Sequence, residues 1–133
     1  MRQAIQNAVI EAVLAATPVV TAVGGRIYDE PPDELTGGGP AYPYITIGQQ
    51  SSTDWDTKTT IGAEVTTQID IWSQAGGKAE VLDIIDKLVA ALHEADLNLS
   101  GHILSRVELT DVLRQDEVTY QGVVQLRSLA TEN

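Results

Sequence analysis

The chain has no cysteine among its 133 residues. That excludes disulfides, thiolate catalysis and a zinc site built on cysteine. Basic residues are also scarce, 8 against 19 acidic, which leaves a formal net charge of −11. Nucleic-acid affinity comes mainly from clustered Lys and Arg; here the basics are scattered, so a surface that grips phosphates is not expected. Self-repulsion keeps such a chain soluble. Long apolar runs are missing as well. The N-terminal "MRQAIQNAVIEAVLAATPVV" carries Gln3, Gln6, Asn7 and Glu11 inside its periodic pattern, so it reads as an amphipathic helix rather than a signal or a membrane span. A chain of this length buries roughly 68% of its unfolded surface, and one domain over residues 1–133 is the expectation.

What is present is periodicity. Ile5, Ala8, Val9, Ala12, Val13 and Ala16 recur at spacings of three and four, the helical period, with Asn7 and Glu11 outward. Thr17-Pro18 is expected to finish that helix, because the residue before proline avoids the α region. "VGGRIYDEPPDELTGGGPAYP" follows, an irregular arm rich in Gly and Pro. Such a length without secondary structure inside a domain favours a contact surface over an idle linker. "YITIGQ" alternates Ile45 and Ile47 against Tyr44 and Thr46, the pattern of a half-buried strand. A polar stretch, "SSTDWDTKTT", reads as the loop to a second strand with Val65, Thr67, Ile69 and Ile71 on one face and Glu64, Thr66, Gln68 and Asp70 on the other.

Gly76 and Gly77 then release the chain from extended geometry into a stronger helix. Its apolar residues are Val81, Leu82, Ile84, Ile85, Leu88, Val89 and Leu92. The helix folds back to cover the apolar face of the sheet. A third strand holds Ile103, Val107 and Leu109 in phase, and "DE" at 116 and 117 reads as a turn. The fourth strand holds Val118, Tyr120, Val124 and Leu126, with Gly122 marking a bulge or a close backbone approach. The expected fold is α+β in the order α-β-β-α-β-β, a mostly antiparallel sheet with two helices packed on one face.

Reactive groupings are thin, and no catalytic, cofactor-binding or metal-binding residue is assigned. His93 suits the end of the second helix and His102 a strand entrance, and neither has a second ligand at metal spacing. Asp54 and Asp56 flank Trp55, but the glycine and distal Glu of an EF-hand loop are missing. Gly24, Gly25 and Gly37 to Gly39 do not form a phosphate-binding loop, and there is no G-x-S-x-G elbow. Asp29-Glu30 and Asp33-Glu34 lie in an arm with little burial to shift a pKa. Trp55 between two acids in a polar loop is a candidate partner contact, since indole is enriched at interface hot spots. Trp72, ahead of the glycine pair, is placed in the core or over the helix start.

Four segments in order, "GGRIYDEPP", "YPYITIG", "IDIWSQAGGKAEVLDIIDKLVAAL" and "TYQGVVQLR", resemble the tail-completion or tail-terminator family of long-tailed phages and phage-like gene transfer agents. The likeness runs from the first helix almost to the last residue. It implies a non-enzymatic virion protein, assembled in the host cytoplasm, that forms a homo-oligomeric ring, expected to be a hexamer. Such a ring caps the tail tube, ends its polymerisation and joins the tail to the head connector or stopper. Its partners would be the tail tube protein, the connector and its own copies, with DNA passing through unbound and no membrane involved. Asp54, Trp55, Asp56 and Lys58 in the loop, with Tyr28 and Tyr42 in the arm, are the residues placed at such contacts from their own chemistry. A head-tail connector or tail-tube subunit would need similar ring-forming sheets, and a small soluble binding module could share the element order.

Overall fold

A computed structural model describes residues 2–28, 42–54, 61–75, 77–93, 97, 101–115 and 117–132. The elements are α1 (Arg2–Ala15), α2 (Thr17–Val23), β1 (Ile27–Tyr28), β2 (Tyr44–Asp54), β3 (Ile61–Ser73), α3 (Ala79–Leu92), β4 (His102–Arg114) and β5 (Tyr120–Glu132). Among the described residues five strands form one sheet in the order β1-β2-β3-β5-β4. Every pair is antiparallel except β1 with β2. The α+β class, the mostly antiparallel sheet and the placement of helices on one face agree with the sequence; the element order gains α2 and β1.

Both additions have local causes. Thr17-Pro18 does not end helical structure but starts a new helix after a one-residue break at Ala16, because the fixed φ of proline suits a first turn. The axes of α1 and α2 meet at 77°. Gly24 stops α2 in the left-handed region at φ 60°, and Gly25 N–H donates to Val20 O at 2.9 Å. The released chain then extends beside β2, with Ile27 opposite Ile45 and Tyr28 opposite Thr46. The start of the expected arm is therefore a short parallel strand. No single helix among the described residues is long and apolar enough to cross a membrane. The bent α1–α2 pair buries Ile5, Val9, Val13, Val19 and Val23 inside the protein.

The core lies between the sheet and the helices. Ile45, Ile47, Val65, Ile69, Ile71, Val124 and Leu126 from the strands meet Val81, Ile84, Ile85, Leu88 and Leu92 of α3. Leu82, expected on the apolar stripe, is 47% exposed. Gly122 settles its own ambiguity. The β3–β5 register runs through it without a bulge, and a Cβ there would come within 2.6 Å of Val81 Cγ1. Its bare backbone is what lets α3 seat on the sheet. The unit from β3 to α3 is also tied by polar contacts, since Ser73 Oγ donates to Glu80 Oε1 at 2.6 Å and receives Ala75 N–H at 3.3 Å.

Three strand readings are corrected. β2 and β3 extend into the polar stretch, so Ser51 to Asp54 pair with Thr66 to Ala63; ladder pairing uses backbone groups and tolerates Ser and Thr side chains. A register shift between Val107 and Leu109 turns Leu109 away from the core, while Val107 stays opposite Leu126. Val118 falls outside β5 and is 54% exposed, because the hairpin closes by Gln115 N–H donating to Thr119 O at 2.9 Å. The side chain of Ile103 lies outside the described residues.

Candidate interaction surfaces on the open sheet face

The face of the sheet away from the helices carries no covering layer among the described residues, and two clusters organise it. The first is aromatic. Strand alternation puts Tyr44 and Trp72 on this face, directly opposite each other across β2 and β3. Their rings stack with centroids 6.2 Å apart. Tyr28, brought alongside by β1, meets Tyr44 edge-on at 6.0 Å, and Tyr42 tilts against it at 5.2 Å. Offset and edge-to-face geometries of this kind are the favourable ones for aromatic pairs. Arg26 holds the returning chain in place, with Nε donating to Pro43 O at 2.9 Å and Nη2 to Tyr42 O at 3.3 Å. The Trp72 indole N–H donates to Thr46 Oγ1 at 3.2 Å.

This cluster corrects two readings. Tyr44 and Thr46 were expected on the wet side of a half-buried strand, yet both are buried, Tyr44 under its aromatic neighbours. Trp72 neither joins the core nor covers the start of α3; it sits half-buried on the opposite face.

The second cluster is polar. Asp70 Oδ1 accepts from Gln68 Nε2 at 2.9 Å and Gln121 Nε2 at 2.8 Å. Farther along, Arg127 Nε donates to Glu64 Oε1 at 2.5 Å, and its Nη1 lies 3.7 Å from Glu108 Oε1. The hydrogen bond from Arg127, with its charge, holds the Glu64 carboxyl below the ordinary glutamate range against the opposing effect of desolvation. The guanidinium of Arg127 is raised in return by the same bond. These side chains form a hydrogen-bonded relief on the open face.

Of the residues placed at contacts from sequence, Tyr28 and Tyr42 come together around Tyr44. Asp54 is exposed at the far end of β2, ten residues from Tyr44, roughly 33 Å away at the rise of an extended strand. Trp55, Asp56 and Lys58 lie outside the described residues. Tyr44, Trp72 and Arg26 were missed. The signal for the first two was present, since Tyr44 alternates with Ile45 and Trp72 with Ile71, which places both on the side away from the core. His93 has a structural role, its Nδ1 accepting Val107 N–H at 3.1 Å. His102 opens β4. Among the described residues no three His, Cys, Asp or Glu are grouped to hold a metal ion. On the helix side, Ala15, Ala16, Pro18, Ala90 and Ala91 line a shallow apolar groove, with Asp86 and Lys87 at its margin.

Comparison with known proteins converges on one family. The model of the family described as "Tail completion protein gp17" matches residues 8–131. The chain is 29% identical to the tail completion protein gp17 of Bacillus phage SPP1, over 98% of this chain and 95% of that one. A solved structure of bacteriophage SPP1 gp17 superposes with a TM-score of 0.62 at 26% identity, covering 99% of this chain and 91% of that one. A chain in the virion of a native gene transfer agent particle superposes with a TM-score of 0.82. It covers 96% of this chain and 94% of the other, and at 24% identity the likeness is one of fold.

Proposed function

The chain belongs to the tail completion protein gp17 family, and from that premise we propose that it acts as a tail terminator. In this reading copies of the chain close into a ring, most simply of six, on the head-proximal end of the tail tube. The ring ends tube polymerisation and joins the tail to the head connector or stopper. The family match over residues 8–131 carries the proposal, and the near full-length similarity to a curated tail completion protein supports it. The protein is then a structural component of the virion tail, built in the host cytoplasm, rather than an enzyme. Its open sheet face and strand edges offer contact surfaces of the sort such a component needs.

The charge fits passage of DNA without capture. Each copy contributes −11, and acidic groups lining a channel would repel phosphates within a Debye length of about 8 Å. A ring whose lumen proved electropositive would overturn that part. The tyrosines of the aromatic cluster and the stretch from Asp54 to Lys58 are assigned to contacts with neighbouring subunits, the tail tube or the connector. A closed ring needs a heterologous interface whose rotation returns to its start, since any other would propagate into filaments. Native mass spectrometry of the purified chain tests the oligomer directly. A species of six chain masses is expected, and monomer or dimer at every concentration would argue for a binding module instead.

A further inference from the structure

Six large apolar side chains stand exposed among the described residues, and four of them fall beside two features on different sides of the protein. Exposed apolar groups that gather, rather than scatter singly, mark interaction sites. The first feature is the groove on the helix side. Ala15, Ala16 and Pro18 at the α1–α2 break face Ala90 and Ala91 of α3 across a space of about 570 Å³. Side chains this short leave the space between the helices unfilled. Leu14, next to Ala15 in the chain, is 52% exposed, and Leu82, in line with Asp86 and Ala90 along one helix face, is 47% exposed. The polar lining residues are Thr17, Asp86 and Lys87, and Lys87 is already tied to Asp83 at 2.6 Å. A small ligand needs convergent polar groups to fix its orientation, so the groove suits apolar side chains of a protein surface better.

The second feature lies on β4. Leu109 and Leu113 stand opposite Gln125 and Gln121 of β5, which in turn lie beside Gln68 and Trp72 of β3. Both leucines therefore share the face away from the helices, where they are 46% and 43% exposed. Their separation along the strand is roughly 13 Å at the rise of extended backbone. Leu82 and Ala90 are roughly 12 Å apart at the rise of a helix. The two apolar rows match in length.

We infer that Leu109 and Leu113 of one copy seat in the groove between the α1–α2 break and α3 of a second copy of this chain. The inference rests on the ring reading and supplies its joint. Charge argues for a second copy as the occupant. Each copy carries −11, so copies meet most easily where opposite charges are brought together. Arg106 is exposed and shares the face of the two leucines, standing opposite Arg127, while Asp111 lies between the leucines. Glu108, beside Arg106, is drawn to Arg127 instead. The margin of the groove offers Asp83 and Asp86 to the arginine and Lys87 to the aspartate. The two surfaces are also unlike, so a contact between them is heterologous, the kind that closes a ring by rotation rather than a two-fold dimer.

The absence of cysteine makes introduced thiols clean reporters. Thr17 lines the groove and is exposed, and Gln125 is half-buried opposite Leu109. The full chain carrying Thr17→Cys and Gln125→Cys together would be treated with a short bis-maleimide, beside each single variant, and its native mass spectrum taken without the reagent. The expected result is a ladder of covalent multimers from the double variant, with both single variants left as separate chains. Arg106→Glu should weaken assembly about tenfold or more, because like charges then meet, and Asp86→Arg in the same chain should restore it. Native multimers that neither cross-link nor respond to Arg106→Glu would overturn the joint and leave the ring intact. Covalent dimers from either single variant would overturn it in favour of a self-complementary contact. Monomer by both measures would overturn joint and ring together.

Discussion

Gly122 shows how one residue fixes the spacing of two layers. A methyl group there would press on Val81 Cγ1 at 2.6 Å, with Ile85 Cδ1 and Ile71 Cδ1 at 3.2 and 3.3 Å, all fully or largely buried. Overpacking of this kind costs about 1–3 kcal/mol, so Gly122→Ala should lower the unfolding free energy from urea denaturation by that amount, with a lower midpoint; an unchanged midpoint would mean that α3 does not seat on this strand. Glu64 gives a residue-scale prediction in pH. Its carboxyl is held low by Arg127, so the native state takes up that proton later than the unfolded chain, whose glutamates titrate near about 4.3. The contribution of the pair is complete above that value and disappears as the pH falls through the lower native pKa. The Glu64 side-chain carbonyl, followed by NMR, should titrate below the free-glutamate range and return to it in Arg127→Gln. A normal midpoint in the parent chain would dissolve the pair.

Among the elements, α3 separates burial from mere apolarity. Leu82 and Leu88 both belong to its sequence pattern, but Leu88 is fully buried while Leu82 is 47% exposed. Truncating a buried leucine costs about 2–5 kcal/mol, and an exposed one usually less than about 0.5 kcal/mol. Leu88→Ala should therefore be severely destabilising in chemical denaturation and Leu82→Ala nearly neutral; similar losses for both would place Leu82 against another part of the chain. The β2–β3 pair adds a second lesson. Its core face is aliphatic apart from the buried Thr67, and its other face turns from aromatic at the Tyr44 end to charged near Glu64, so one pair of strands serves the core and the open face at once.

For the whole molecule, the two candidate contact patches sit at opposite ends of β2. The aromatic cluster joins Tyr28, Tyr42, Tyr44 and Trp72, and Asp54 opens the stretch that contains Trp55. Patches so far apart suit a subunit that touches different neighbours along its length. Trp55→Ala is expected to reduce the yield of joined particles severalfold in an assembly assay while leaving the circular dichroism of the isolated chain unchanged. Normal joining would remove Trp55 from the interface, and an altered spectrum would make its role structural.

The helices α1 and α3, the apolar alternation of β3 and the resemblance to tail completion proteins could be read from the chain, because each depends on spacing or on residue types within one segment. The helix α2, the ends of β2, the added strand β1, the choice at Gly122 between a bulge and a close approach and the burial of Tyr44 on the helix-free face could not. Backbone pairing is set by the neighbouring strand, and a tyrosine on a polar-phase position becomes buried only when Tyr28 and Trp72 arrive from elsewhere. The register shift after Val107, which turns Leu109 outward, is likewise a property of two strands together. Local periodicity thus determined the main helices and strands, α1, α3 and β2 to β5, though not all of their ends. Only the tertiary structure decided which strands neighbour one another and which residues gather on the face away from the helices, since those are fixed by contacts between residues far apart in sequence.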